Sequence, residues 1–134
     1  MDVTRGNVEN SPTVPAGATF TGDVLRHSVL PSKEGVPGMA TVIFSPKGRT
    51  HWHSHADGQI IQVSHGAGFV AVRDGDVAFV RPGDVVWAPG GEMHCHGAMD
   101  DSVFIQTATS LGAADWRDAV TDEEYDAIIA QKDA

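Results

Sequence analysis

Histidine recurs at alternate positions in two short windows of this chain. The first is His51-Trp52-His53-Ser54-His55, followed by Gln59, and the second is His94-Cys95-His96, after Pro89 and Gly91. Five of the seven histidines fall there. Imidazole nitrogen is a good ligand for Mn, Fe, Ni, Cu and Zn. Alternate side chains of an extended segment share a face, so His53 and His55 face one way and His51 is expected to join them. Gln59 returns on the next strand after a tight turn at Asp57-Gly58, and His94 arrives from a distant strand. His53, His55, Gln59 and His94 are the expected ligands of one divalent transition metal. An amide oxygen as fourth ligand leaves positions open for water or substrate, which favours a catalytic over a closed structural site.

The charge of this cage narrows the chemistry. Three neutral imidazoles and a neutral amide leave the full +2 on the metal, and such a metal stabilises hydroxide, cyanide, enolate or alkoxide. Lewis-acid chemistry is favoured, with oxygen activation still open. His96 shares a strand face with His94 and is expected to line the pocket as a proton-transfer base, a role suited to a group that titrates near neutral pH. His51 is expected as a second catalytic histidine, with a fifth ligand or a rim residue as alternatives. His27 and His65 are read as ordinary surface or strand residues. Cys95 alternates away from its neighbours and reads as a small buried apolar residue. Trp52 and Trp87 read as packing residues, and Trp116 as the anchor of the tail.

The elements that must hold these residues are short β runs broken by Gly and Pro. Strands are expected at Phe20–Leu30, Met39–Ser45, Thr50–His55, Gln59–Ser64, Gly68–Arg73, Asp76–Arg81, Val85–Ala88, Met93–Ala98 and Ser102–Thr109. Turns are expected at Arg73-Asp74-Gly75-Asp76 and Arg81-Pro82-Gly83-Asp84. Thr121-Asp122-Glu123-Glu124 forms a capping box, and Tyr125, Ile128 and Ile129 give the following helix an apolar stripe. The division expected is an irregular N-terminal arm over 1–17, a β-barrel over 18–112 and a tail with a helix over 113–134. The fold class is all-β, a closed sandwich or barrel with a short C-terminal α-helix.

A length of 134 residues suits one domain. The net charge of −9, from 18 acidic and 9 basic residues, argues against nucleic acid or an anionic membrane surface as partner, because phosphates call for clustered Lys and Arg. No apolar run approaches a membrane span. Met1 to Ser11 is polar, so no secretory leader is expected and a cytoplasmic location is. A single cysteine excludes an internal disulfide framework.

The spacing resembles that of a small single-domain cupin. His53, His55, Gln59 and Gly66 meet the first cupin motif; Gly83, Pro89, Gly91 and His94 meet the second. Gly48 sits one residue closer to His53 than the motif has it, and Ala98 stands where Asn is common. The resemblance implies a double-stranded β-helix, or jelly roll, and a homodimer or higher homo-oligomer. Arg49-Thr50, Trp52-His53, Gly58-Gln59, Gly83-Asp84-Val85-Val86-Trp87, His96-Gly97-Ala98 and Asp115-Trp116 through Val120-Thr121-Asp122-Glu123 resemble the bacterial manganese-dependent cupin hydroxynitrile lyases. That likeness implies manganese as the metal, His53, His55, Gln59 and His94 as its ligands, His96 as a pocket histidine, and Ala40, Val42 and Gln106 in the pocket wall. It departs at Ser102, near where those lyases carry a second pocket histidine, and at His51, where they carry a small residue. The expected activity is cleavage of a small-molecule cyanohydrin to aldehyde and cyanide. Alternatives are a cupin polyketide cyclase, a quercetinase-like dioxygenase, and a non-catalytic metal or small-ligand sensor.

Overall fold

The computed structural model describes residues 1–6 and 11–133. Its strands are β1 (Val14–Pro15), β2 (Phe20–Thr21), β3 (Val24–Leu30), β4 (Gly38–Phe44), β5 (Arg49–Thr50), β6 (His53–His55), β7 (Gly58–Gly66), β8 (Gly68–Val72), β9 (Val77–Val80), β10 (Val85–Ala88), β11 (His94–Ala98), β12 (Phe104–Leu111) and β13 (Ala114–Trp116). One sheet runs β1-β3-β4-β12-β7-β10; the other runs β13-β6-β11-β5-β2, with β8 joining β11 to β9. Both are antiparallel, and they curl into the closed barrel expected from the strand pattern, in the jelly-roll form that the cupin resemblance implies.

Two apolar clusters hold the barrel. Val42, Phe44, Val63, Ala98 and Phe104 form the first. Trp52, Phe69, Ala71, Cys95 and Val120 form the second, joined by Tyr125 and Ile128 of the helix α1 (Asp122–Ala130). Phe44, Phe69 and Phe104 are fully buried, each contributing about 1.5–3 kcal/mol by leaving water. Helix α1 begins on the expected capping box: Thr121 Oγ1 accepts from the Glu124 N–H at 3.1 Å, and the Thr121 N–H donates to Glu124 Oε1 at 3.1 Å. Tyr125 Oη donates to the Ala98 carbonyl at 2.8 Å. The Arg49 guanidinium lies over the Tyr125 ring and donates to the Val120 carbonyl and to Asp122. The expected turn at Asp74 has φ 56°, and that at Arg81 is closed by the Asp84 N–H on the Arg81 carbonyl at 3.0 Å.

Four expectations need correction. The run Phe20–Leu30 is two strands, because Gly22 at φ +87° turns the chain against Gly48, where a Cβ would stand 3.1 Å from the Gly48 Cα. The run Thr50–His55 is also two strands: the His51 N–H still bonds to Thr19 on the β2 side, but the chain bends at Trp52, whose N–H turns to Asp118. The arm expected to be irregular contributes β1, paired with β3; its residues 7–10 lie outside the described residues. The tail expected from 113 onward first supplies β13, paired with β6 through Trp116↔His53; its residue 134 also lies outside. Gly66, the motif glycine that ends β7, has φ +75°, and a Cβ there would fall 1.7 Å from the Val103 carbonyl oxygen.

Candidate functional site

Strand alternation delivers the site. Along β11, His94 and His96 lie on one face and Cys95 packs on the other with the helix-side cluster. Strand β6 lies beside β11, pairing His53 with His94. The ring centres of His53 and His94 are 4.4 Å apart, and those of His53 and His96 5.2 Å. Gln59 enters from β7 of the other sheet, and Gln106 from β12, where the register against β7 slips between Ile105 and Gln106. His53, His55, Gln59, His94, His96 and Gln106 are all buried.

The hydrogen bonds fix which ring atoms are free. His53 Nδ1 lies 3.0 Å from the His51 carbonyl, and His94 Nδ1 lies 2.8 Å from the Glu92 carbonyl. A carbonyl only accepts, so each neutral imidazole carries its proton on Nδ1 and a lone pair on Nε2. Gln59 Nε2 donates to Ser110 Oγ at 3.1 Å, which turns Gln59 Oε1 to within 2.8 Å of His94 Nε2. Two lone-pair donors then face each other with no hydrogen between them. Both ring nitrogens of His55 and of His96, and both amide atoms of Gln106, are buried without a hydrogen-bond partner among the described residues. Each such group costs about 1–3 kcal/mol if nothing satisfies it. Convergent imidazole and amide lone pairs, with no thiolate or carboxylate among them, fit a divalent transition metal.

The histidines divide into two overlapping sets. One ring nitrogen from each of His53, His94 and His96 lies within 4.8 Å of the other two. His55 stands outside that group, its ring centre 5.1 Å from His53 and 6.2 Å from His94. His53 and His94 are common to this trio and to the set expected from the motif. All four are held in the neutral, ligating form. Burial first, and then the neighbouring His94, lower His53 to about 3 and His55 to about 4. Burial also lowers His94, against the opposing pull of Glu92. His96 is driven well below its ordinary value by burial and then by His53, with Gln106 beside it acting the other way. Neutral imidazole is the form that binds metal.

A cavity of about 290 Å³ opens onto this cluster. His53, His55, Gln59 and His96 line it, and so do the expected wall residues Ala40, Val42 and Gln106. His94 lies behind the lining, against Gln59 and His53. The structure does not bring His51 to this cavity. The chain leaves its strand between Thr50 and His53, and the half-buried His51 is an electrostatic neighbour of Asp118. Ser102 also lies elsewhere, its hydroxyl accepting from the Ala67 N–H and donating to the Val103 carbonyl. A larger and more open depression of about 680 Å³ adjoins the mouth through Ser32, Gly112 and Ala113, but no histidine reaches it. The histidine and amide groups open onto the smaller cavity.

Of the lining residues that escaped the sequence reading, Trp116, Thr50 and Arg26 bear most on the site. Trp116, expected only to anchor the tail, stacks on His53 with ring centres 4.3 Å apart and planes 24° from parallel. Thr50 Oγ1 accepts from the His96 N–H at 3.2 Å. Arg26 shares the parity of inward-facing Val24 on β3, and a cation at such a position was the available signal. Trp87, expected to pack, is 53% exposed.

Residues 40–105 match the family model described as the cupin domain. Over 131 residues the chain is 38% identical to an (R)-mandelonitrile lyase of Granulicella tundricola, an alignment that covers 93% of this chain and 98% of that protein. A cupin-like protein of Thermotoga maritima superposes with a TM-score of 0.79 at 37% identity, covering 84% of this chain and 90% of that one. The polyketide cyclase RemF of Streptomyces resistomycificus superposes with a TM-score of 0.69 at 17% identity, covering 93% and 92% of the two chains, which is a likeness of fold alone. By fold, motif spacing and relationship along nearly its whole length, the chain belongs to the cupin family.

Proposed function

We propose that the protein is a metal-dependent lyase that cleaves a cyanohydrin to an aldehyde and hydrogen cyanide. The facing lone pairs of His94 Nε2 and Gln59 Oε1 beside the buried cavity carry this reading. The activity named for the Granulicella tundricola relative supports it. His53, His94 and Gln59, with His55 or His96, would hold a divalent cation, manganese being the one the family likeness implies. Bound there with neutral ligands, the cation supplies Lewis acidity for negative charge developing on oxygen or cyanide.

The remaining work falls to this chain's own residues. Ala40 and Val42 keep the wall small and apolar, so the substrate's carbon skeleton displaces water. A ring nitrogen of His96, buried and without a partner, accepts the hydroxyl proton of the cyanohydrin. The oxygen's electron pair forms the carbonyl as the bond to cyanide breaks, and that bond's electrons leave on the cyanide carbon. The proton then passes from His96 to cyanide, leaving aldehyde and hydrogen cyanide. Gln106, beside His96, favours the transient imidazolium, which burial otherwise makes costly.

The test is aldehyde release from racemic mandelonitrile under anaerobic conditions, with manganese-loaded and chelator-stripped protein side by side. Release is expected from the loaded protein only. His96→Ala is expected to keep its metal and lose about 10²–10⁴-fold in kcat, the range for a general base. His51→Ala is expected to keep both. No release from protein verified to hold metal overturns the lyase reading. Loss of metal in His96→Ala would place His96 among the ligands and remove it as the base.

A further inference from the structure

The cavity's electrostatics point to its substrate. The chain carries 18 acidic and 9 basic residues, yet among the described residues neither a carboxylate nor a lysine lines this cavity. Arg26 alone among its lining residues bears a fixed charge. Arg26 lies on β3, paired in register with Val42 of β4, so it belongs to the sheet opposite the one that carries His53 and His96. Among the described residues no acid forms an ion pair with Arg26. The side chain is exposed at the cavity's mouth. The neutral histidines and amides at the inner end add no negative charge, so Arg26 is the one formal charge on the described cavity wall. A local cation attracts and orients anions, and a guanidinium with no ion-pair partner among the described residues suits a planar carboxylate.

We propose that Arg26 binds a carboxylate on the end of the substrate remote from its reacting carbon, so that the preferred substrate is an anionic carbonyl adduct rather than a neutral one. This deepens the lyase reading and rests on it for the placing of the reacting carbon beside the histidines. The recognition step itself involves no bond change and is separable from turnover.

Calorimetric titration with two small probes, benzaldehyde and 4-formylbenzoate, tests it. Each is titrated into wild-type, Arg26→Gln and Arg26→Lys protein, with and without manganese, all checked for an unchanged melting temperature. Wild type is expected to bind 4-formylbenzoate about tenfold more tightly than benzaldehyde, the scale of one partly exposed charge-assisted contact. That ratio is expected to fall to about one in Arg26→Gln, to survive in part in Arg26→Lys, to shrink with added salt and to persist without metal. Equal affinities in wild type overturn the proposal, as does the failure of both probes to bind. So does a preference untouched by Arg26→Gln, which would place the carboxylate on the metal or elsewhere. Racemic mandelonitrile and the cyanohydrin of 4-formylbenzoate are then compared for turnover. Arg26-dependent binding without turnover of either overturns the lyase reading and leaves the anion site standing. Turnover with no preference between them does the reverse.

Discussion

At the residue scale, the centre depends on a device used twice. His53 and His94 each present Nδ1 to the carbonyl of the residue two positions earlier, His51 and Glu92. Local chain geometry thus commits both Nε2 lone pairs to one point before any metal arrives. His51 matters here through its backbone oxygen, which a side-chain substitution leaves in place. Gln59 sets the charge of that point. Its amide donates to Ser110 and presents only oxygen to His94. Gln59→Glu is expected to bind manganese more tightly, since it adds a negative ligand, and to lower cyanohydrin cleavage by about tenfold or more, since the cation then stabilises developing anions less well. Metal titration alongside kcat checks both; a rate that rises with affinity would mean that cation charge does not drive the reaction. Residue types and spacing made the histidines and Gln59 legible in the sequence, and the resemblance to the cupin hydroxynitrile lyases supplied the wall residues Ala40, Val42 and Gln106. His51 misled because strict alternation was extended through the bend at Trp52, where the chain passes from its bond with Thr19 to one with Asp118.

At the scale of elements, β11 is where barrel and tail meet. Its even positions carry His94, His96 and Ala98, while Cys95 packs with Trp52, Phe69 and the helix residues Tyr125 and Ile128. Helix α1 therefore braces the strand that carries two of the histidines, and Tyr125 ties it by donating to the Ala98 carbonyl. Tyr125→Phe keeps the ring between Phe69 and the Arg49 guanidinium but leaves that buried carbonyl without its side-chain donor. A loss of about 1–2 kcal/mol in denaturant unfolding is expected, with metal content unchanged; no loss would mean that water replaces the hydroxyl. The strand cores, the turns at Asp74 and Gly83, and the capping box were readable because local patterning and special backbone angles specify them. Strands β1 and β13 were not, because two or three residues carry no period. Their existence depends on edges, β3 and β6, that only the folded chain provides. Trp116 was misread for the same reason: pairing with β6 is what sets it on His53.

At the scale of the whole molecule, a barrel that gathers neutral histidines in its interior becomes sensitive to acid. Above the ordinary histidine value of 6.5, His53 and His55 are uncharged whether the chain is folded or not. Below it, the unfolded chain takes up protons that the folded chain refuses until about 4 for His55 and about 3 for His53. Stability therefore falls as pH drops through that window, by about 1.4 kcal/mol per pH unit for each histidine. Both residues are buried, so solvent screening discounts this little, and His94 and His96 act in the same direction. The exposed carboxylates Asp118 and Asp122 are held below their ordinary value by Arg73 and Arg49, so they add to the fall only at the acid end of the window, where unfolded carboxylates take up protons. From pH 6.5 to 4.5, His53 and His55 alone remove about 5 kcal/mol, comparable with the whole stability of many domains. Chelator-stripped protein is expected to lose about 10 °C or more in melting temperature over that span. Manganese-loaded protein should hold its melting temperature further into acid, because a metal on the same lone pairs must first be displaced by protons. A stripped protein whose melting temperature stays flat would mean that the imidazoles exchange protons freely in the folded state, and the closed, dry centre on which the lyase chemistry depends would be lost with it.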